Sequence, residues 1–363
     1  MIRQRTAAGS SIALVVAVAL AAATPAIVDA QTTCTPHITN WTSFDIPGIP
    51  QPNPGAQPLA INDYGEVTGN YRSSSQSSMQ GLAFSRYPNG TIVDITVPDS
   101  GGRTYVSGIN NQGQIIGEYI GGSDSVVPNQ GRGFIRWAHG ALTIIDGPVP
   151  SPAYTGVTGI NNWAVSVGTF PMDYNGKTSE GFLRHADGSI TTIGANTALL
   201  YINDQGVALG GTSAGFLLLK PDGTRVIWNP PLGTKYAQLV GLDIEGSVVF
   251  NASYAGLDDV GFIRHPSGTF LPIWPSTPTY NSLKLRSINN LGTVVGYEYN
   301  TSSGAQAGFA QIWYGPRVLV NAPVAGQRGT TPTAINNHNV MTGYWEDSNY
   351  MGHGFVATLV TCN

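Results

Sequence analysis

Beyond its first thirty residues the chain carries no sustained apolar period of about 3.6 residues, the spacing an amphipathic helix needs. Apolar positions come instead in short runs, such as Gln114-Ile115-Ile116-Gly117-Glu118-Tyr119 and Leu142-Thr143-Ile144-Ile145. Between the runs stand Asn-Gly, Asp-Gly and Ser-Gly pairs, as at Asn89, Asp187, Asp222 and Ser267. Such a pattern predicts short strands joined by tight turns, because Asn, Asp and Gly tolerate the positive φ that a hairpin turn demands. Helix is expected to be nearly absent.

The runs repeat. An Ile-Asn-Asn or Ile-Asn-Asp triplet begins at Ile61, Ile109, Ile160, Ile202, Ile288 and Ile335, with Leu242-Asp243-Ile244 as a degenerate copy, at intervals of 48, 51, 42, 40, 46 and 47 residues. A glycine follows after one residue at Gly65, Gly113, Gly206, Gly246 and Gly292, whereas Trp163-Ala164 and His338-Asn339 take that place in the other two copies. A second signature, Gly-Phe, recurs at Gly133, Gly181, Gly215, Gly261, Gly308 and Gly354, and Gly81-Leu82-Ala83-Phe84 is an imperfect first copy. Each unit reads as four strands, which in the second unit are residues 105–109, 114–119, 133–137 and 142–145. Four short strands repeated about every 45 residues are the mark of a β-propeller, whereas a sandwich or barrel has no reason to repeat at that interval. The expected fold is all-β: a single seven-bladed β-propeller of four-stranded blades over residues 31–363, with repeats starting near 58, 105, 156, 199, 239, 284 and 331.

The last unit ends after its third strand. The segment 41–47, Trp41-Thr42-Ser43-Phe44-Asp45-Ile46-Pro47, matches fourth strands such as residues 142–148, so an N-terminal outer strand is expected to complete the last blade and cover its open edge. The only two cysteines, Cys34 and Cys362, would then lie on neighbouring strands and are expected to pair, with two unrelated thiols as the alternative.

Residues 1–30 read as a secretory signal: Arg3 and Arg5, an apolar run at 12–23, and Val28-Asp29-Ala30 ahead of Gln31. The run falls short of the roughly 20 residues that span a bilayer, and no later segment is long and apolar enough, so no membrane span is expected after cleavage. An uncleaved anchor is the alternative. Lipidation of Cys34 fits poorly, because Gln31-Thr32-Thr33 lacks aliphatic residues. A secreted or periplasmic location follows, and with it an oxidising compartment. Charged residues are only 10% of the chain, the net charge is −4, and four lysines stand against thirteen arginines. Neither charge-rich disorder nor a basic nucleic-acid surface is compatible with that balance.

The Ile-Asn-Asn-x-Gly turn, the glycine in the next strand and the Gly-Phe strand resemble the bacterial extracellular repeat proteins of the HAF family. The resemblance covers nearly the whole exported chain, with Gly-Phe standing where the family has His-Ala-Phe. It implies an exported repeat protein of no settled activity and carries over no catalytic residue.

In a four-stranded blade the connections between strands two and three share one face with the blade-to-blade connections. These are the long, variable segments here: 72–80, 120–132, 171–180, 254–260, 300–307 and 346–353, against only 212–214 in the fourth unit. A rigid scaffold with variable loops on one side places a ligand in the central depression of that side. Aromatic and acidic residues there are the candidates, since aromatic rings offer flat faces to sugars: Glu118, Tyr154, Tyr236, Tyr254, Glu298, Tyr299, Trp345 and Glu346. Tyr71, Tyr119, Phe170 and Trp345 share one repeat position, which points to packing between blades. Arg86, Arg136, Arg184 and Arg264 also recur, and inter-blade hydrogen bonding is expected of them.

A polysaccharide or cell-surface glycan is the expected ligand, a protein partner comes next, and a monomer is expected. The rival is a carbohydrate-active enzyme in the same depression. A glycosidase needs two carboxylates across a cleft, for which Glu118, Glu298 and Glu346 stand available. A lyase needs Tyr or His beside a cation, for which His353, Tyr350, Arg72, Arg103 and Arg328 stand available. The histidines lack zinc spacing, and Asp124, Asp173 and Asp258-Asp259 lack the alternation of a calcium loop, so no cofactor is expected. Two carboxylates, or a Tyr or His beside an Arg, at the axis would favour the enzyme. Aromatics and amides alone would favour binding.

Overall fold

The computed structural model describes residues 34–48, 55–72, 81–98, 100, 103–121, 131–147, 154–173, 177–313, 315–324 and 328–362. The signal segment 1–30, Asp124 and loop residues 73–80, 122–130 and 174–176 lie outside the described residues. The chain divides into two units, Met1–Thr35 and Pro36–Asn363, and every described strand belongs to the second.

That unit is a seven-bladed β-propeller: seven antiparallel sheets of four strands each, with no helix among the described residues. Blades 1 to 6 are built of consecutive strands. Blade 7 takes Gly329–Ile335, Val340–Glu346 and Gly352–Val360 and then His37–Phe44 as its outer strand. The register runs from His37 opposite Val360 to Phe44 opposite Gly354, so the closing strand starts four residues earlier than the expected 41–47. Cys34 and Cys362 are disulfide-bonded.

Strand side chains alternate between the two flanking blades, and the apolar clusters follow. One joins Ile116, Ile135 and Ile145 of blade 2 to Val157, Phe170 and Phe182 of blade 3. Tyr71, Tyr119, Phe170 and Trp345 are all buried in these seams. The glycine repeated in strand two has a steric origin. A Cβ on Gly168 would lie 2.0 Å from the carbonyl oxygen of Gly156 and 2.7 Å from the Phe182 ring, and one on Gly343 2.1 Å from the carbonyl oxygen of Thr331 and 2.8 Å from the Phe355 ring, so this glycine makes room first for the bulged backbone of strand one and then for the strand-three phenylalanine. Blade 4 departs from the repeat. Its strands two and three are joined by the two residues Ser213-Ala214, which sets Leu217, not Phe216, opposite Gly210. The arginines of strand three also differ from expectation. Among the described residues Arg86, Arg184 and Arg264 each hydrogen-bond the carbonyl of the next residue, and the inter-blade contact of Arg86 and Arg264 is instead cation–π, over Phe44 and over Trp228 of the preceding blade.

The repeated triplet is the joint between blades. The first Asn accepts, through Oδ1, the N–H groups of its own turn, as Asn110 does from Gln112 and Gln114, both at 3.0 Å. Its Nδ2 donates to the carbonyl of the equivalent residue one blade on. These bonds run Asn62 to Asn110 at 3.2 Å, Asn110 to Asn161 at 2.9 Å, Asn161 to Asn203 at 3.1 Å, Asn203 to Asp243 at 2.8 Å, Asn289 to Asn336 at 2.8 Å and Asn336 to Asn62 at 2.9 Å. The second residue forms a parallel belt, in which each backbone N–H is accepted by the side chain of the next blade. Asp63 binds Asn111, Asn111 binds Asn162, Asn162 binds Asp204, Ile244 binds Asn290, Asn290 binds Asn337 and Asn337 binds Asp63, all within 2.7–2.9 Å. Both belts fail only at blade 5: the Asp243 carboxylate has no N–H to give to Asn289, and Ile244 has no acceptor for Asp204. In the two turns without glycine, Ala164 and Asn339 adopt the left-handed φ of 60° and 56° themselves.

Asp243 is buried, and burial raises its carboxyl above the usual 3.8, outweighing the turn N–H groups that lower it. The folded state therefore holds the Asp243 proton more tightly than the unfolded chain, and stability falls as pH climbs from about 3.8 through the raised value. Asp243→Asn supplies the missing donor and is expected to stabilise the protein by about 0.5–1.5 kcal/mol at neutral pH. Thermal unfolding should show a smaller gain near pH 4, and a gain independent of pH would contradict the account.

Candidate functional site

The first strand of each blade faces the axis: Gln57–Ile61, Thr104–Ile109, Gly156–Ile160, Thr197–Ile202, Tyr236–Leu242, Ser282–Ile288 and Gly329–Ile335. Each of these strands carries a β-bulge, and the residue skipped by the register is Leu59, Ser107, Thr158, Leu200, Val240, Arg286 or Thr333. A bulge re-aims a side chain, and all seven of these residues line a cavity of about 440 Å³ on the axis. A second cavity of about 240 Å³ shares Ser107, Thr158, Tyr201 and Arg286 with it and reaches the repeated isoleucines. The asparagine belts line a third cavity at the short-turn end.

The residue before each repeat Ile or Leu lines the second cavity and is small (Ala60, Gly108, Gly159, Gly241, Ser287, Ala334) except at Tyr201. Arg286 is the one charged residue lining the two upper cavities, and it makes no ion pair or hydrogen bond among the described residues. Its charge acts on the phenols of Tyr201 and Tyr297. The axial hydroxyls point their protons into the wall. Ser107 donates to Val157 O at 2.6 Å, Thr158 to Leu199 O at 2.8 Å, Thr333 to Pro58 O at 2.8 Å, and Tyr201 to Leu239 O at 3.5 Å.

The rim is uneven. Segment 254–260 is not the long loop expected: Val248–Tyr254 and Leu257–Arg264 are joined by Ala255-Gly256 alone, both at positive φ, as a two-residue hairpin requires. Blades 4 and 5 thus carry short hairpins side by side, and the upper cavity is lined mainly by blades 4, 5 and 6.

A lateral cavity of about 310 Å³ lies between blades 6 and 7, lined by Gln306, Arg328, Thr331, Tyr344, Glu346 and Tyr350 among others. Tyr350 is 63% exposed at a left-handed φ of 64°, with the Arg328 guanidinium 3.5 Å from its ring centroid.

The candidates from sequence therefore scatter. Glu346 enters the lateral cavity. Tyr154 and Tyr236 are exposed, the former lying against Gly131. Tyr254 packs edge-on against Phe262 at 5.4 Å. Tyr299 donates to Asp259, and burial together with that carboxylate drives its phenol far up. Trp345 is buried, bonded to Ser43 at 3.1 Å and stacked on His353 at 4.4 Å. Glu118 faces Gly156 of the next blade, and desolvation raises its pKa. Glu298 is fully buried, held by Arg317 at 2.6 Å and by the backbone N–H and hydroxyl of Ser276 at 2.8 and 2.6 Å.

Of the possible lyase set, Tyr350 and Arg328 come together, whereas His353 turns to Asp45 at 2.8 Å. The side chain of Arg72 lies outside the described residues. Arg286, Tyr201, Gln238 and Gln306 escaped the sequence reading. The available signal was a departure within a repeat column: one charge among small or aliphatic residues, and one large ring among small ones. No group of His, Cys, Asp and Glu able to hold a metal occurs among the described residues.

No family model and no curated protein matches the sequence. Solved structures match the fold. A streptogramin B lyase superposes with a TM-score of 0.54 at 13% identity, covering 88% of this chain and 97% of that one. A virginiamycin B lyase from Staphylococcus aureus, solved with quinupristin, gives 0.54 at 10% identity, covering 88% and 99%. An acylaminoacyl peptidase of Pyrococcus horikoshii gives 0.53 at 10% identity and corresponds to 85% of this chain but only 52% of its own. At these identities the likeness is one of fold.

Because Glu298 is buried and paired, Arg317→Ala leaves an uncompensated charge in the seam and is expected to cost about 3–5 kcal/mol of folding stability. Denaturant unfolding checks this, and a loss within 1 kcal/mol, on the scale of about 0–1 kcal/mol seen for surface pairs, would refute the structural role.

Proposed function

We propose that the chain is an exported recognition module of the HAF type that binds a polysaccharide or surface glycan on its long-loop face without transforming it. The carrying observation is the lining of the open axial depression: hydroxyls, the Gln238 amide, the Tyr201 ring and one unpaired guanidinium, where sugars find both faces and hydrogen-bond partners. The separate lateral cavity adds Tyr350, an exposed ring with the Arg328 guanidinium over one face. The outward tie of Glu298 to Arg317 speaks against a carboxylate pair across the axis. The disulfide, and the lack of any helix long and apolar enough to cross a membrane among the described residues, are compatible with an extracellular or periplasmic place.

A second reading, a lyase, is favoured by Tyr201 standing near Arg286 and by the lyases among the fold neighbours. Incubation of the purified protein with neutral and acidic polysaccharides, followed by size-exclusion chromatography, separates the two. Retention without new products is expected, weakened about threefold to tenfold by Tyr350→Ala. New oligosaccharides would establish the enzyme reading, and no retention on a broad panel would bring a protein partner forward.

A further inference from the structure

We propose that the axial depression contains an anion subsite centred on Arg286 that receives the carboxylate of a uronic acid residue, an inference that rests on the glycan-binding reading. The bulge in Ser282–Ile288 aims Arg286 at the axis, where it is exposed to both upper cavities. Three neighbouring cations are neutralised in place, Lys284 by Asp259 at 3.4 Å, Arg317 by Glu298 at 2.6 Å and Arg132 by Asp146 at 3.1 Å, and Arg328 lies over the Tyr350 ring in the separate lateral cavity. Arg286 alone in the depression is left to a ligand. A single guanidinium without a second free cation beside it balances one negative charge, and its planar fork matches a carboxylate bidentately.

The surrounding wall selects the rest of the ligand. Ser107, Thr158, Thr333 and Tyr201 have each given their one proton to a backbone carbonyl, so toward the axis they offer only lone pairs. Such a wall asks for hydrogen-bond donors, and the hydroxyls of a sugar ring are donors. A guanidinium set in a ring of acceptors is complementary to a polyhydroxy acid. It is a poorer fit to a peptide C-terminus, which brings few donors besides its backbone N–H.

Titration of the protein with oligogalacturonates, with the same oligomers methyl-esterified, and with a short acidic peptide tests the assignment at neutral pH and low salt. The free acid is expected to bind at least roughly tenfold more tightly than the ester. Arg286→Gln should bind acid and ester alike, at the affinity the ester shows for the unaltered protein, and Arg286→Lys should recover part of the preference. Because Arg286 makes no hydrogen bond or ion pair among the described residues, an unchanged thermal midpoint is expected for both variants. Persistence of the preference in Arg286→Gln overturns the subsite. Equal binding of acid and ester by the unaltered protein overturns it while leaving the glycan reading standing. If neither oligomer binds, the uronate subsite falls, while the glycan reading stands or falls on the broad polysaccharide panel. Arg286-dependent capture of the peptide without the sugars overturns the uronate assignment in favour of a protein terminus.

Discussion

A carboxamide at the head of six of the seven first turns is what the ring depends on. Asn is the residue that meets all its demands: Oδ1 closes its own turn by accepting two N–H groups, while Nδ2 reaches the next blade's carbonyl. Serine is too short for both tasks, and aspartate lacks the donor. Each bond contributes about 0.5–1.5 kcal/mol net, and an orphaned buried partner would cost more. The second belt repeats the fastening through backbone N–H groups. At the seam between blades 7 and 1, Asp63 accepts the N–H of Asn337 at 2.9 Å and its Nδ2 at 3.0 Å, together with Nδ2 of Asn111 at 2.7 Å. Burial raises the Asp63 carboxyl, but these donors outweigh it and its pKa lies below the usual value. Closure thus rests on three devices: the belts, the outer strand His37–Phe44 in blade 7, and the disulfide.

Seven strands drawn to one axis leave little room, and the chain answers with a small residue before the repeat Ile or Leu in every blade but the fourth and a bulge one position earlier. The bulged residues turn inward, so the axis becomes a lined cavity. Where the repeat is obeyed, the lining is bland. Where it is broken, at Tyr201 and Arg286, the depression gains a ring and a charge. The low rim over blades 4 and 5, made by the hairpins at Ser213-Ala214 and Ala255-Gly256, opens the cavity on the same side.

Residues that recur at one repeat position proved to be scaffold. Phe170 and Trp345 fill seams, and Arg86 and Arg264 cover aromatic rings of the preceding blade. Glu298 occupies that same aromatic position in blade 6, and burial there demanded a counter-ion, which Arg317 supplies. The chemically open groups are departures from the consensus, whose meaning depends on which way each strand faces.

Composition, the triplet and the Gly-Phe signature by themselves determined the all-β class, the seven blades, the strand order and the closing outer strand. They did so because these are local or periodic constraints: a turn needs Asn and Gly, and a strand-two glycine must clear the carbonyl of strand one beside it. The tertiary structure alone decided which side chains reach the axis. A bulge shifts the alternation of a strand by one residue, and a two-residue hairpin removes a loop that spacing appears to grant. Direction at the axis is set by seven strands converging, a contact between residues some 40 to 50 positions apart that no single repeat encodes.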